Sequence, residues 1–150
     1  RTLIDDIVET MYAAPGIGLA APQVGVGLRV VVIDVGLAED EEVSDLITLV
    51  NPEILEHSSE MISFEEGCLS VPDFEEEVDR SAKVKVKALG RDGESIVLEA
   101  EGLKSVCVQH EIDHLDGITI ADRASAMKRN MYLKKVKKGK VNHAGSSVSI

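Results

Sequence analysis

Apolar residues follow a helical spacing near the start of the chain and strand-like runs after it. Residues 3–13 (LIDDIVETMYA) place apolar side chains three and four positions apart, which predicts an amphipathic helix. Residues 28–35 (LRVVVIDV) are mostly β-branched and apolar, which is typical of a buried strand. Residues 46–55 (LITLVNPEIL) predict another strand with a break at Asn51-Pro52, because proline has no N–H to donate to a sheet.

Two later segments alternate apolar and polar positions with a period of two. They are residues 83–89 (KVKVKAL) and 95–101 (SIVLEAE), with turn residues RDG at 91–93 between them. This pattern predicts an antiparallel hairpin with one buried face and one face in water. The acidic run AEDEE at 38–42 is predicted to be a charged loop.

A second helical pattern follows Gly102 in the segment LKSVCVQHEIDHL. Its spacing places one set of residues on a single helix face. This set comprises Leu103, Val106, Cys107, His110 and His114. Gly117 is predicted to end the helix, and residues 124–138 predict a last, exposed helix. Because the short antiparallel strands are separate from the helices, the predicted fold class is α+β.

Composition and charge narrow the class of protein. The 150 residues carry a formal net charge of −11, and all 27 acidic residues lie between Asp5 and Asp122. Residues 128–140 (KRNMYLKKVKKGK) instead hold seven of the 16 basic residues and no acidic residue. An acidic body argues against the whole domain being a nucleic-acid binder, and no DNA partner is expected. The basic run is either a solvated helix face or a contact for a polyanion such as RNA.

Membrane and secretory classes are also disfavoured. Two cysteines are too few for a disulfide framework. No stretch approaches the roughly 18 consecutive apolar residues of a membrane span. Acidic residues interrupt the apolar positions of the first ten residues, unlike a signal peptide. We therefore expect a cytoplasmic protein with no membrane partner.

The strongest local signal for chemistry is the sequence HEIDH at 110–114, an H-E-x-x-H motif in the second predicted helix. Residues four apart lie one above the other on a helix, so the imidazoles of His110 and His114 can reach one metal ion. Glu111 lies about 100° around the helix from His110 and can reach water on the metal without binding the metal. Lone histidines on an apolar face would more often be core residues with satisfied hydrogen bonds. The glutamate between them favours a metal site.

The third ligand decides the class of such a site. Metzincin proteases continue to a third histidine, but that position is Ile120, which cannot coordinate a metal. A gluzincin-like protease needs a downstream glutamate, and none follows Glu111. The remaining downstream candidates are Asp116, Asp122 and His143. Upstream, Cys68 in the predicted loop EEGCLS suits a thiolate ligand, although free cysteine is also a common small buried residue. A Cys-His-His set leaves one position open, which is the catalytic arrangement.

The segment GIGLAAPQ at 16–23 is predicted to be a glycine-rich loop. Its glycines partly match a dinucleotide-binding fingerprint, but a helix precedes them where that motif needs a strand. Small residues here instead let a substrate backbone approach closely. Gln23 supplies a neutral amide donor that can point at a developing oxyanion.

Three segments, GIGLAAPQ (16–23), EGCLS (66–70) and HEIDHL (110–115), resemble the three signature motifs of the peptide deformylase family, in the same order. The resemblance implies a metallohydrolase that removes the N-formyl group from the N-terminal methionine of nascent polypeptides and releases formate. It implies one domain over residues 1–150, with small antiparallel sheets packed around a central metal-binding HExxH helix. An N-terminal helix and an exposed basic C-terminal helix complete this fold. Family members carry a further segment before the first helix, so we expect that segment to be missing here.

The resemblance also implies residue roles. The implied metal ligands are Cys68, His110 and His114. Fe²⁺ is the expected ion, with Zn²⁺ or Ni²⁺ as substitutes, because a thiolate–imidazole set suits several first-row metals. Glu111 is implied to take a proton from water and pass it to the leaving amine. The Gln23 amide and the Leu69 backbone N–H are implied to stabilise the oxyanion.

The implied substrate is an N-formylmethionyl peptide, whose methionine side chain needs an apolar slot. The candidate wall residues are Ile17, Phe64, Leu103, Val106 and Cys107, which are equally compatible with an ordinary core. Gly18 is expected to pair with the substrate backbone. An ion pair between Glu66 and Arg80 is implied to support the segment that carries the cysteine. The basic run 128–140 is implied to contact the ribosome.

Two other functions remain compatible with these residues. A zincin-like metallopeptidase would share the H-E-x-x-H motif, but its third ligand is absent after Gly117. A non-catalytic protein would hold a closed structural zinc site. Its ligands would be Cys68, Cys107, His110 and His114. That arrangement leaves Glu111 and Gln23 without roles.

Overall fold

The computed structural model describes residues 2–13, 16–36, 44–68, 71–118, 120–123 and 126–137. The helices are α1 (Thr2–Ala13), α2 (Leu103–Leu115), α3 (Ile120–Arg123) and α4 (Ala126–Lys137), with a 3-10 helix, η1, at Ala21–Val24. The strands are β1 (Gly18–Ala20), β2 (Val30–Asp34), β3 (Leu46–His57), β4 (Met61–Cys68), β5 (Val71–Ser81), β6 (Lys83–Leu89) and β7 (Ser95–Glu101). Within the described ranges, no helix is both long and apolar enough to span a bilayer.

Two antiparallel sheets carry the fold. Five strands form the larger sheet in the order β1-β2-β3-β6-β7, and β4 pairs with β5 in a separate hairpin. The predicted hairpin at 83–101 is confirmed as β6 and β7. Its inward positions are Val84, Val86 and Ala88, and the lysines between them are exposed or half-buried. These sheets and the separate helices confirm the α+β fold class.

The apolar core has two parts. One part lies between the larger sheet and α2, and it includes Val31, Ile33, Val86 and Val106. The other lies under α1, where Ile4, Ile7 and Met11 pack against Leu19 and Val32. The helical spacing at 3–13 is confirmed, because the buried residues of α1 are those three- and four-apart positions.

Helix α2 is buried around most of its circumference. It contacts β1, β2 and β7 of the larger sheet and β5 of the hairpin. The sequence predicted a single apolar face, but Ser105, Val108 and Glu111 are buried as well. The chain enters α2 from β7 through Gly102, whose φ of +64° is a conformation that side-chain-bearing residues rarely adopt. A helix enclosed on several sides can hold polar groups away from water.

Three local predictions need correction. Residues 61–81 were not predicted to be strands, and EEGCLS was predicted to be a loop, yet 61–68 form β4 as far as Cys68. GIGLAAPQ is not simply a loop, since β1 lies within it and η1 begins in it. Strand β3 continues through Asn51-Pro52, where a register shift against β6 and a φ of +51° at Asn51 accommodate the proline. The predicted loop at 38–42 lies outside the described residues.

Candidate metal centre

The last turns of α2 bring His110, Glu111 and His114 together. All three are buried, and their potential ligand atoms lie within 4.8 Å of one another. The Nε2 atoms of His110 and His114 are 3.1 Å apart. Two imidazole nitrogens at that distance need a proton or a metal cation between them. The i, i+4 spacing thus brings together the residues that the sequence singled out.

Glu66 orients the first histidine from the neighbouring hairpin. Its Oε1 lies 2.7 Å from Nδ1 of His110. Arg80 donates to both Glu66 oxygens, at 2.9 and 2.8 Å. Burial alone would raise the pKa of Glu66, but the hydrogen bonds from His110 and Arg80 outweigh it and lower the pKa. A carboxylate accepts hydrogen bonds only, so Nδ1 of His110 donates to Glu66, and Nε2 is the nitrogen that faces His114.

Burial favours the neutral form of the second histidine. Burial, and then the nearby His110, lower the pKa of His114 to about 4. A neutral imidazole is the form that binds a metal. Imidazole nitrogens suit iron, zinc and nickel alike. The donor set on α2 therefore fits a divalent first-row metal ion.

Glu111 differs from the two histidines of the site in its hydrogen bonding. Its side chain is 0% exposed, and neither carboxylate oxygen has a hydrogen-bond partner among the described residues. Burial, opposed in part by the charge of Arg80, raises the pKa of Glu111 well above its ordinary value. Buried carboxylates are rarely left without partners, and the exceptions are concentrated at functional sites.

Strand β1 passes directly over this carboxylate at Gly18. A Cβ atom on Gly18 would lie 2.8 Å from Glu111 Oε1 and 3.0 Å from Cys107 Sγ. Real Cβ atoms essentially never approach a neighbour to less than 3.0 Å. The glycine is thus required by the close approach of β1 to α2.

The other predicted catalytic residues are placed differently. Gln23 lies in η1, and its Oε1 accepts a hydrogen bond of 2.8 Å from the Ala20 backbone N–H. Because an N–H can donate only to the amide oxygen, this bond fixes which way the Gln23 amide faces. The backbone of Cys68 ends β4, whereas its side chain and the whole of Leu69 lie outside what the structure describes.

The predicted substrate pocket is only partly assembled. Ile17, Val106 and Cys107 belong to one buried cluster, with Leu103 at its margin. The Cys107 thiol lies 3.6 Å from the Ile17 carbonyl oxygen, as a weak hydrogen-bond donor. Phe64 lies on β4, is 37% exposed, and belongs to neither core cluster. The pocket role of these residues stays a prediction.

Sequence reasoning missed Asp113 and Arg123. Asp113 is one of the two variable positions inside H-E-x-x-H, and it forms ion pairs with both Arg80 and Arg123. An acidic residue on the buried helix α2 was the available signal, because a buried acid needs a cationic partner. The partners themselves come from β5 and α3 and have no local signature.

A cleft of about 550 Å³ is lined by residues 56–58, 83–85 and 99–101, which lie in or next to β3, β6 and β7. Lys85 there stands opposite Glu56 on one side and Glu99 on the other. The opposite charges compensate one another across the strands.

The groups suited to chemistry lie together on α2. Two convergent imidazoles and a buried carboxylate on an α+β fold define a protein of the H-E-x-x-H metal-site class.

The chain belongs to the polypeptide deformylase family, whose model matches residues 1–130. A peptide deformylase of Phenylobacterium zucineum is 53% identical over 138 residues, which cover 92% of this chain and 80% of the relative. Peptide deformylase 1 of Pseudomonas syringae pv. tomato is 54% identical over 138 residues, with the same coverage of 92% and 80%.

Solved structures agree with this membership. A peptide deformylase from Legionella pneumophila is 48% identical, with a TM-score of 0.82 over 93% of this chain and 79% of that one. A peptide deformylase from Ehrlichia chaffeensis in complex with actinonin is 38% identical, with a TM-score of 0.85 over 93% of this chain and 82% of that one. The family is metal-dependent, which accords with the histidine cluster on α2.

Proposed function

We propose that this chain hydrolyses the N-formyl group from the N-terminal methionine of nascent polypeptides and releases formate. The observation that carries the proposal is the Glu111 carboxylate, buried and without a partner among the described residues, beside two convergent imidazoles. Relatives about 50% identical over most of the chain are peptide deformylases, which are hydrolases.

The proposed metal ligands are His110, His114 and Cys68. The two imidazoles already converge, and the strand end at Cys68 belongs to the hairpin whose Glu66 contacts His110. Fe²⁺ is the proposed ion, with Zn²⁺ or Ni²⁺ able to replace it. When bound, such an ion supplies Lewis acidity that acidifies a water molecule and polarises a carbonyl oxygen. Cys107 is not proposed as a ligand, because its thiol faces the Ile17 carbonyl.

Glu111 is proposed to move the proton. As water attacks the formyl carbon, a carboxylate oxygen of Glu111 accepts the water proton. When the C–N bond breaks, Glu111 donates that proton to the leaving nitrogen, so formate and a free amine result. Burial shields this carboxylate from bulk water, and because no described residue binds its oxygens, it is available for both transfers.

Two donors are proposed for the oxyanion that forms during the attack. The Gln23 amide is held in one orientation by the Ala20 N–H, which favours a fixed donor. The Leu69 backbone N–H is the second donor. Each such donor typically stabilises the transition state by about 3 kcal/mol. Gly18 on β1 is proposed to pair with the substrate backbone, because it lies next to Glu111.

The C-terminal helix is proposed to contact the ribosome. The support is the charge of the run 128–140, of which α4 covers residues up to Lys137. Within α4, Met127, Met131 and Leu133 are exposed apolar residues beside the basic ones. The positive charge suits a surface that carries phosphate groups, such as RNA.

The test of the proposed function is formate release from matched peptides. We expect the metal-loaded protein to deformylate formyl-Met-Ala-Ser and to leave acetyl-Met-Ala-Ser intact, because a formyl group carries only hydrogen on its carbonyl carbon. Metal removal should abolish the activity, and added Fe²⁺ under anaerobic conditions should restore it. Cleavage of internal peptide bonds without formate would instead identify a metallopeptidase and would contradict the proposal.

A further inference from the structure

Asp113 stands where three elements of the fold meet. It lies on α2, one residue before His114, and its side chain is 13% exposed. From β5, Arg80 donates to Asp113 Oδ2 at 2.6 Å. From α3, Arg123 donates to both oxygens, through Nε to Oδ2 at 3.0 Å and through Nη2 to Oδ1 at 2.7 Å.

These contacts continue to the metal centre. Arg80 divides its guanidinium between Asp113 and Glu66, and Glu66 in turn receives the Nδ1 proton of His110. Arg123 is therefore the outer end of a row of four hydrogen-bonded contacts that finishes at an imidazole. Charge alternates along the row, with two cations and two carboxylates before the histidine.

We propose that Arg123 is a positioning residue that acts through Asp113 and Arg80 on His110. Arg80 and Glu66 are 4% and 0% exposed, so water does little to compensate them. Without Arg123, Arg80 would be the one arginine or lysine among the described residues paired with both carboxylates. Asp113 would then draw the guanidinium away from Glu66 and loosen the acceptor that orients His110.

The geometry of Arg123 suits this role better than a lysine would. Its planar fork contacts both Asp113 oxygens, which fixes the direction of the carboxylate as well as its charge. Helix α3 also packs against the hairpin that supplies Arg80 and Glu66. Arg123 thus ties the last turn of α2 to the hairpin from a position outside all three sequence motifs.

The alternative is an ordinary surface ion pair, since Arg123 is 44% exposed. Most such pairs contribute little. The chain offers a matched control in Arg91, which is also 44% exposed and also donates to both oxygens of one carboxylate, Asp5, between a turn and α1. Arg91 lies outside the row of contacts at the metal centre.

The experiment compares Arg123→Met, Arg123→Lys and Arg91→Met with the wild-type chain. Two readouts do not need catalysis. One is the rate at which Co²⁺-loaded protein releases its ion to a chelator. The other is the proton NMR resonance of His110 Nδ1–H in the Zn²⁺-loaded protein. The third readout is kcat and KM for formate release, which alone rests on the proposed function.

We expect Arg123→Met to release Co²⁺ about 10-fold faster, to shift the Nδ1–H resonance, and to lower kcat about 10-fold with KM unchanged. Arg123→Lys should lie between it and wild type, and Arg91→Met should match wild type in all three readouts. In an Asp113→Asn background, Arg123→Met should add little to either catalysis-independent effect, because both substitutions break the same contact.

The proposal is overturned if either the Co²⁺ release rate or the Nδ1–H resonance of Arg123→Met equals that of wild type. It is also overturned if Arg91→Met produces the same changes. If Arg123→Met does not fold, the same two measurements on Arg123→Lys decide the proposal. Absence of formate release by wild-type protein would contradict the proposed function only, and the cobalt and NMR results would still decide the role of Arg123.

Discussion

At Gly18, one missing Cβ atom leaves the space that the Glu111 carboxylate and the Cys107 thiol occupy. A methyl group there would have to displace the fully buried Glu111 side chain or the strand that carries it. The position of the proposed proton carrier thus depends on a residue that has no functional group.

We predict that Gly18→Ala lowers kcat by roughly 10- to 100-fold, because a displacement of about 1 Å in a catalytic group has effects of that size. The measurement is formate release at saturating substrate, with metal content determined in the same sample. Gly27→Ala is the matched control, since a Cβ at Gly27 would meet no atom within 4 Å. Equal kcat values for the two variants would show that the contact with Glu111 is unimportant.

Sequence predicted those site residues whose relation is local. His110, Glu111 and His114 belong to one helix, so their relative positions follow from 3.6 residues per turn. The ion pair between Glu66 and Arg80 came only from the family resemblance. The contacts of Asp113 with Arg80 and Arg123 join residues 33 and 10 positions apart on different elements. No spacing rule relates such residues, because the fold alone brings them together.

The Gln109 side chain on α2 binds the backbone of β5 through both hydrogen-bonding groups of Ser81, as a paired strand would. Gln109 accepts from the Ser81 N–H at 3.1 Å and donates to the Ser81 carbonyl at 2.8 Å. Ser105 Oγ also donates to that carbonyl, at 2.8 Å. The anchor lies next to both Arg80 and His110 in sequence, so it helps to set how α2 faces the hairpin.

We predict that Gln109→Met lowers the free energy of unfolding by about 1–3 kcal/mol, because the Ser81 N–H loses its partner in a largely buried place. Lys104→Met on the same helix removes a partly exposed ion pair with Asp45 and should cost less than about 1 kcal/mol. Urea unfolding of both variants checks this difference. A cost for Gln109→Met no larger than that for Lys104→Met would refute the anchoring role.

Helices and strands whose apolar residues recur at a regular spacing were predictable from sequence. Strands whose structure depends on contacts with other elements were not. The alternation in β6 and β7 and the helical spacing in α1 each specify one structure. The acid-rich segment of β4 and β5 lacks an alternation of apolar and polar residues, because charged side chains occupy both faces. Glu66 and Arg80 are buried, whereas Glu65 and Asp79 are exposed. Strand β3 continues through Pro52, which has no backbone N–H to donate, because the register against β6 shifts between Val50 and Glu53.

Across the whole molecule, Asp34 joins the end of β2 to α1 and to the start of β3. It is 1% exposed and accepts hydrogen bonds from the Tyr12 hydroxyl, the Ser44 hydroxyl and the backbone N–H groups of Gly36 and Asp45. Burial alone would raise the pKa of Asp34, but these four donors outweigh it and lower the pKa below its ordinary value.

A carboxyl with a lower pKa in the folded than in the unfolded state adds stability above its unfolded pKa of about 3.9, and this stability is lost as pH falls through the folded pKa. We predict that Asp34→Asn is less stable than wild type by a constant amount between pH 5 and 7, and that the difference shrinks below about pH 4. Urea unfolding of both proteins across this range is the measurement. A difference that persists unchanged at pH 3 would contradict the prediction.

The central claim is that Glu111 carries the proton in a hydrolysis performed at the histidine cluster. Glu111→Gln keeps the shape of the side chain and removes its ability to exchange a proton. With one metal ion bound per chain, we predict that formate release from formyl-Met-Ala-Ser falls by about 10²- to 10⁴-fold, while Glu101→Gln on β7 stays at the wild-type rate. A Glu111→Gln protein that binds metal fully and retains a rate within about twofold of wild type would contradict the account.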